Sequence, residues 1–218
     1  MRTFLLTFTL FFGFLSLAEA QRATVTELKI SSAMTDNRRI LFNERSTALA
    51  LNVEYDDVKM IRAKISGVLK KRLKFFDKWE TEGEAHVTTI TPPEFNNQLT
   101  PYVSQDTINR IAANLDIQAS DVKVLGLGSG KKVFNGELGE TFFIIIQSRK
   151  LLAIREAIYL EYLKNGGPKS GPKAFNPRRF FPHITVGFTH DDIHESDGLL
   201  KDVEHSLDRR FLLRVTGL

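Results

Sequence analysis

The same succession of patterns occurs twice in this chain: an apolar strand, an amphipathic helix, and a second strand carrying His-x-Thr. In the first instance Thr47-Ala-Leu-Ala-Leu-Asn-Val53 reads as a strand. Apolar spacing then predicts a helix from about Asp57 to Lys78, with Val58, Ile61, Ile65, Val68, Leu69, Leu73 and Phe76 on one stripe. The polar turn Glu80–Glu84 leads into His86-Val-Thr88-Thr89-Ile90. In the second instance Thr141-Phe-Phe-Ile-Ile-Ile146 reads as a buried strand, and a helix follows over Ser148–Lys164. Leu151, Ile154, Ile158 and Tyr162 lie at helical spacing there, and Gly166-Gly167 is the stop. A long loop, Pro168 to Pro182, then leads to His183-Ile-Thr185-Val-Gly-Phe188. From the middle of the leading strand to the histidine is 37 residues in the first instance (49 to 86) and 39 in the second (144 to 183).

So near an equality predicts an α+β protein of two pseudo-symmetric lobes with a cleft between them. Residues 21–218 are expected to form one domain, with lobes over about 21–128 and 129–218. No stretch between the halves is long and polar enough to be a disordered linker. Ser104–Leu115 reads as a helix, Val122–Leu127 as a strand, Leu199–Leu207 as a late helix and Phe211–Val215 as a closing strand.

On a strand, residues i and i+2 point to the same side, so each histidine shares a face with its threonine. Two such pairs facing one cleft present two imidazoles and two hydroxyls to a single anion. With an ordinary pKa of about 6.5, one imidazole can be neutral while its partner is charged, which suits a paired base and acid near neutrality. Hydroxyls and an imidazolium aimed at phosphate oxygens stabilise the charge that grows there in the transition state. No metal is needed for that chemistry.

The chain opens with Arg2, an apolar run from Phe4 to Leu17, and Ala18-Glu19-Ala20. A short basic region, a compact apolar region and an A-x-A ending predict a secretory signal peptide over residues 1–20 and a mature N-terminus at Gln21. The run is short of the roughly 20 residues that span a bilayer, and no later stretch is apolar enough to anchor the protein, so no membrane partner is expected. Secretion usually favours disulfides, yet the chain has no cysteine. Stability then rests on core packing, for which 42% hydrophobic residues suffice. The formal charge of +4 favours an anionic substrate without resembling a polybasic tail.

Phe181-Pro182-His183-Ile-Thr185-Val-Gly187-Phe188 and Ala85-His86-Val-Thr88-Thr-Ile90 resemble the paired His-x-[Ser/Thr]-x-apolar motifs of the 2H (two-histidine) phosphoesterase superfamily. That superfamily includes the LigT-like RNA 2′,3′-cyclic phosphodiesterases and a divergent branch called Swiss Army Knife. The resemblance covers most of residues 40–218 in layout. It implies a two-lobed α+β fold with antiparallel sheets flanked by helices around a central cleft. It further implies His86 and His183 as acid and base, and Thr88 and Thr185 as phosphate ligands. The expected substrate is an RNA end, a nucleotide or another small phosphodiester, handled by a monomer with neither metal nor cofactor. A 2H enzyme for a non-RNA ester, and a secreted protein that binds a phosphorylated ligand without turnover, are the alternatives.

Other segments invite functional readings. Arg178-Arg179 beside Phe180-Phe181 is a candidate substrate contact, since guanidinium groups pair with phosphate and aromatic rings stack on bases. Gly126-Leu-Gly128-Ser-Gly130-Lys131-Lys132 is not a phosphate loop: position 125 is Leu and position 132 is Lys, so it reads as a hairpin connection. His190-Asp191-Asp192-Ile-His194 places two histidines four apart, but after a strand it reads as a solvated turn rather than a metal site. Lys70-Lys71-Arg72 with Lys74 reads as the solvated face of the first helix, and His205 as surface.

Overall fold

The computed structural model describes residues 25–32, 48–75 and 85–217. The leader expected over residues 1–20, the mature terminus at Gln21 and the turn Glu80–Glu84 lie outside them.

Among the described residues seven strands and five α-helices follow in the order β1 (Thr26–Ser31), β2 (Leu49–Val53), α1 (Tyr55–Leu69), β3 (Ala85–Ile90), α2 (Pro92–Glu94), α3 (Gln105–Asn114), β4 (Lys123–Phe134), β5 (Glu137–Gln147), α4 (Arg149–Lys164), β6 (His183–Phe188), α5 (Val203–Ser206) and β7 (Phe211–Thr216). Five strands form one antiparallel sheet in the order β2-β3-β6-β5-β4, and β1 pairs in parallel with β7 as a separate ribbon. The two halves therefore meet edge to edge. Each leading strand (β2, β5) flanks its own histidine strand (β3, β6), and the histidine strands are neighbours at the centre. The α+β expectation holds. Residues 128 and 129, where the sequence divides the lobes, are consecutive within β4.

One face of the sheet is the core. Leu51, Val53, Val87, Ile144, Ile146, Ile184 and Val186 pack there with Val58, Ile61 and Ile65 of α1 and Leu151, Ile154 and Ile158 of α4. The side chains between them in sequence lie on the other face by strand alternation. Burying one stripe per helix against one sheet face is what holds the halves together.

The helices begin where local chemistry dictates. Ser104 and Ser148 cap α3 and α4, their hydroxyls accepting from Thr107 and Leu151 N–H at 3.3 and 3.1 Å. The helix expected to run to Lys78 stops at Leu69 instead. Lys70 takes a left-handed conformation (φ 51°), and Ser66 Oγ accepts the Leu73 N–H at 3.1 Å. Val68, expected on the apolar stripe, is exposed, while Leu73 is buried from a non-helical segment. That segment crosses β6: Lys74 and Phe188 exchange backbone hydrogen bonds of 2.7 and 2.9 Å. Gly187 permits the crossing, since a β-carbon there would sit 2.7 Å from the Lys74 carbonyl oxygen.

Gly126–Lys132 is strand, not hairpin connection. The turn lies beyond it at Asn135-Gly136, both with positive φ (50° and 87°), as a two-residue hairpin demands. The helix expected over Leu199–Leu207 shrinks to Val203–Ser206, because the chain on either side follows the sheet rather than its own axis.

Candidate active site

The β3–β6 pairing sets Val87 against Ile184. In an antiparallel pair that places His86 across from Thr185 and Thr88 across from His183. Val87 and Ile184 are fully buried on the core face, and all four polar residues are partly exposed on the other. The two motifs thus form a four-cornered patch with the imidazoles on one diagonal and the hydroxyls on the other. Diagonal neighbours across a strand pair are roughly 7–8 Å apart. That is room for one tetrahedral anion between two imidazoles.

His183 is held on three sides. Its Nδ1 lies 2.8 Å from the Phe181 carbonyl, which can only accept, so Nδ1 carries the hydrogen and donates. Its Nε2 lies 3.1 Å from Lys201 Nζ and accepts from it. The Phe143 ring meets it edge-on with centroids 5.7 Å apart. Burial and the Lys201 charge together press its pKa far below the ordinary histidine value, against the pull of the Phe181 carbonyl and the Asp192 carboxylate; His86 adds to the depression. A hydrogen on Nδ1 and an ammonium donating to Nε2 are the hydrogen bonds of a neutral ring.

Behind Lys201 stands a buried ion pair. Its Nζ lies 3.4 Å from Asp192 Oδ1, and both side chains are 4% exposed. The Thr141 hydroxyl donates to the same Oδ1 at 2.6 Å, and the Ile193 N–H donates at 2.9 Å. Burial opposes the Asp192 charge, but Lys201 and Thr141 outweigh it and lower its pKa. Burial, partly offset by Asp192, lowers that of Lys201.

The glycine run expected to be a turn accounts for how Lys201 reaches the site. A β-carbon at Gly126, Gly128 or Gly130 would fall within 2.7 Å of Leu207, Phe143 or Leu199 respectively. Stripped of side chains on that face, β4 lets the segment around Leu199–Leu207 lie flat across it, and Lys201 comes to rest with Nζ 5.1 Å from the Phe143 ring centroid.

Around His86 the surroundings differ. Asn52 is its partner in the β2–β3 register and is 2% exposed, with Oδ1 unbonded. The Asn52 backbone is gripped by the Gln118 side chain, whose Oε1 accepts its N–H at 2.9 Å and whose Nε2 donates to its carbonyl at 3.1 Å. An amide side chain here completes the hydrogen bonding of an edge strand.

Arg178 and Arg179 lie on the loop before β6 and are exposed, paired with Glu156 (3.3 Å) and Glu195. Arg155, unremarked in sequence, organises that loop. Fully buried on α4, it donates to the carbonyls of Thr89 (2.7 Å), Asn176 (3.2 Å), Pro177 (2.9 Å) and Arg179 (3.2 Å) and pairs with Glu94 at 2.7 Å. It thereby fixes the loop against the end of β3.

The 190–194 segment is a solvated turn only in part. His194 is 61% exposed, but Asp192 and Ile193 are buried, and His190 stacks on Phe134 with centroids 4.8 Å apart. Among the described residues no three His, Asp or Glu side chains come together as a metal-ligand set, and no helix is long and apolar enough to cross a membrane. Lys70, Lys71, Arg72 and Lys74 are exposed but follow the end of α1 instead of forming its solvated face, and His205 pairs with Asp202 at 2.8 Å on the surface. A cavity of about 490 Å³ between Phe95 and Asp106 includes none of the patch residues in its lining.

Sequence alone gave no reason to choose Lys201, Asp192, Thr141 or Asn52. Asp192 sat in a polar run that looked like any turn, and Lys201 stands 18 residues past His183 with no motif around it. The one available signal was the glycine alternation at 126, 128 and 130, which marks a strand that something must cross.

No curated protein and no solved structure matches the chain. The family model described as Swiss Army Knife, 2H phosphoesterase domain, matches residues 47–194, a span that holds both His-x-Thr strands and ends short of Lys201. By that match the chain belongs to the Swiss Army Knife family of 2H phosphoesterases.

Proposed function

We propose that this chain is a secreted, metal-independent phosphodiesterase that opens 2′,3′-cyclic phosphate ends of RNA or related cyclic nucleotides. The observation that carries the reading is the common face of His86, Thr88, His183 and Thr185 at the junction of two half-sheets. Family membership supports phosphodiester chemistry in general, and the common face of the two motifs supports siting it there.

The cyclic phosphate sits between the imidazoles, its free oxygens held by the two threonine hydroxyls. One imidazole takes a proton from water as the water oxygen bonds to phosphorus. The other gives a proton to the ribose oxygen as its bond to phosphorus breaks, leaving a phosphomonoester and a free hydroxyl. Imidazoles on opposite corners suit a displacement in which the entering and leaving oxygens lie on opposite sides. The protons are restored when the two rings exchange with solvent.

The test is a turnover assay on RNA 2′,3′-cyclic ends, mononucleotide cyclic phosphates and nucleotide-sugar diesters, each with and without EDTA. Turnover of a 2′,3′-cyclic phosphate undiminished by EDTA is expected. Turnover of other esters alone moves the substrate class, binding without turnover makes the protein a carrier, and loss in EDTA restored by zinc or magnesium defeats the metal-free mechanism. Secretion is tested on the same preparation, whose mature N-terminus is expected at Gln21.

A further inference from the structure

We propose that Lys201 is a positioning residue for His183: anchored by Asp192 and Thr141, its ammonium holds the Nε2 lone pair and keeps the ring neutral with its hydrogen on Nδ1. The inference deepens the phosphodiesterase reading and rests on it for its catalytic meaning, though not for its test.

Three observations carry it. The first is the chain of contacts, Thr141 Oγ1 to Asp192 at 2.6 Å, Asp192 to Lys201 at 3.4 Å and Lys201 to His183 Nε2 at 3.1 Å, which ends on the one ring nitrogen that the Phe181 carbonyl leaves open. The second is burial. A lysine–aspartate pair with both side chains 4% exposed loses more hydration than a surface pair and returns little net stability, so its presence beside a candidate base needs a reason other than stability. The third is delivery. Gly126 and Gly130 clear β4 so that Leu207 and Leu199, on either side of Lys201, can lie against the sheet, and Gly128 leaves room for the Phe143 ring. The matched family segment ends at 194, so the lysine lies on a part of the chain outside it.

Among the described residues, three titratable side chains act on His183. Lys201 arrives from the segment before α5, Asp192 from the turn after β6, and His86 from β3; Asp192 also faces His194 Nδ1 at 3.7 Å. Lys201 and His86 disfavour a proton on His183, and Asp192 favours one. An imidazole fixed in this tautomer has one proton acceptor, pointed where the ammonium sits. A bound phosphate offers that ammonium a competing partner, and the lone pair it releases is the one that takes the proton from water.

The experiment is an NMR titration of the His183 imidazole in the purified protein without substrate. In the wild type, nitrogen shifts should report hydrogen on Nδ1 and no protonation down to pH 5; a His183 that is charged at neutral pH overturns the proposal outright. Lys201→Met should raise the midpoint by about one pH unit or more, Lys201→Arg should keep it near the wild-type value, and an unmoved midpoint in Lys201→Met overturns the proposal. Should Lys201→Met fail to fold with Asp192 left unpaired, Lys201→Met/Asp192→Asn removes both charges and should still raise the midpoint, by less. The acid limb of kcat against pH should move with the midpoint. If the wild type turns over no cyclic phosphate, the functional reading falls while the titration still decides the role of Lys201.

Discussion

The two histidine half-sites occupy equivalent places in a duplicated layout, yet different side chains stand beside them. His183 is walled by Phe143 and pinned at both ring nitrogens, with a buried ion pair at its back. His86 stands across from a buried asparagine amide on an edge strand that a glutamine side chain completes. Backbone duplication supplies matched positions. Burial and then the Lys201 charge, which depress the His183 pKa, come from packing and from a side chain outside the motif. The pH expectation changes accordingly. With the His183 pKa depressed, the acid limb of activity belongs well below neutrality instead of near 6.5.

The harshest way to break the comparison is to remove the rings. His86→Ala and His183→Ala should each lower kcat at least about 100-fold, measured on the best cyclic phosphate. If the two act in one transition state, the double variant should be little worse than the poorer single one. Multiplying losses would instead mean that the half-sites work separately.

A smaller effect sharpens it. Thr88→Ala and Thr185→Ala each remove one hydrogen bond to a charged phosphate, worth about 1.5–3 kcal/mol, so kcat/KM should fall by roughly 10- to 150-fold with thermal unfolding nearly unchanged. Equal losses make the hydroxyl diagonal symmetric even though the imidazole diagonal is not.

The smallest effect concerns the loop on the His183 side alone. Arg178 and Arg179 are exposed and ion-paired, and such pairs contribute about 0–1 kcal/mol. Arg178→Ala or Arg179→Ala should leave stability and kcat alone and raise KM if the guanidinium reaches substrate. An unchanged KM in both single variants returns the pair to ordinary surface.

What was legible in the sequence follows the same division. Periodicity gave the strand, helix and histidine strand of each half, though not β1, because apolar spacing is fixed by which face is buried. The His-x-Thr spacing put each histidine on one face with its own threonine, while the β3–β6 register brings the two pairs together. Periodicity did not find the end of α1, since Leu73 continues the apolar spacing while packing from a segment that has turned away at Lys70. It did not find the length of β4, whose glycines look like a turn until Leu199 and Leu207 are seen lying across them. Nor did it find Lys201, Asp192 or Arg155, whose roles depend on contacts made across the chain, which local pattern does not encode.

The joint between the halves has a consequence of its own. β2 and β3 pair at five positions and β5 and β6 at five, but β3 and β6 at only one, Val87 against Ile184. The patch therefore straddles the least paired line among the described strands of the sheet, where Val87 and Ile184 seat in the core beneath it. A methyl group removed from that underside would act on the chemistry as a change of calibre, altering the span between acid and base without touching either.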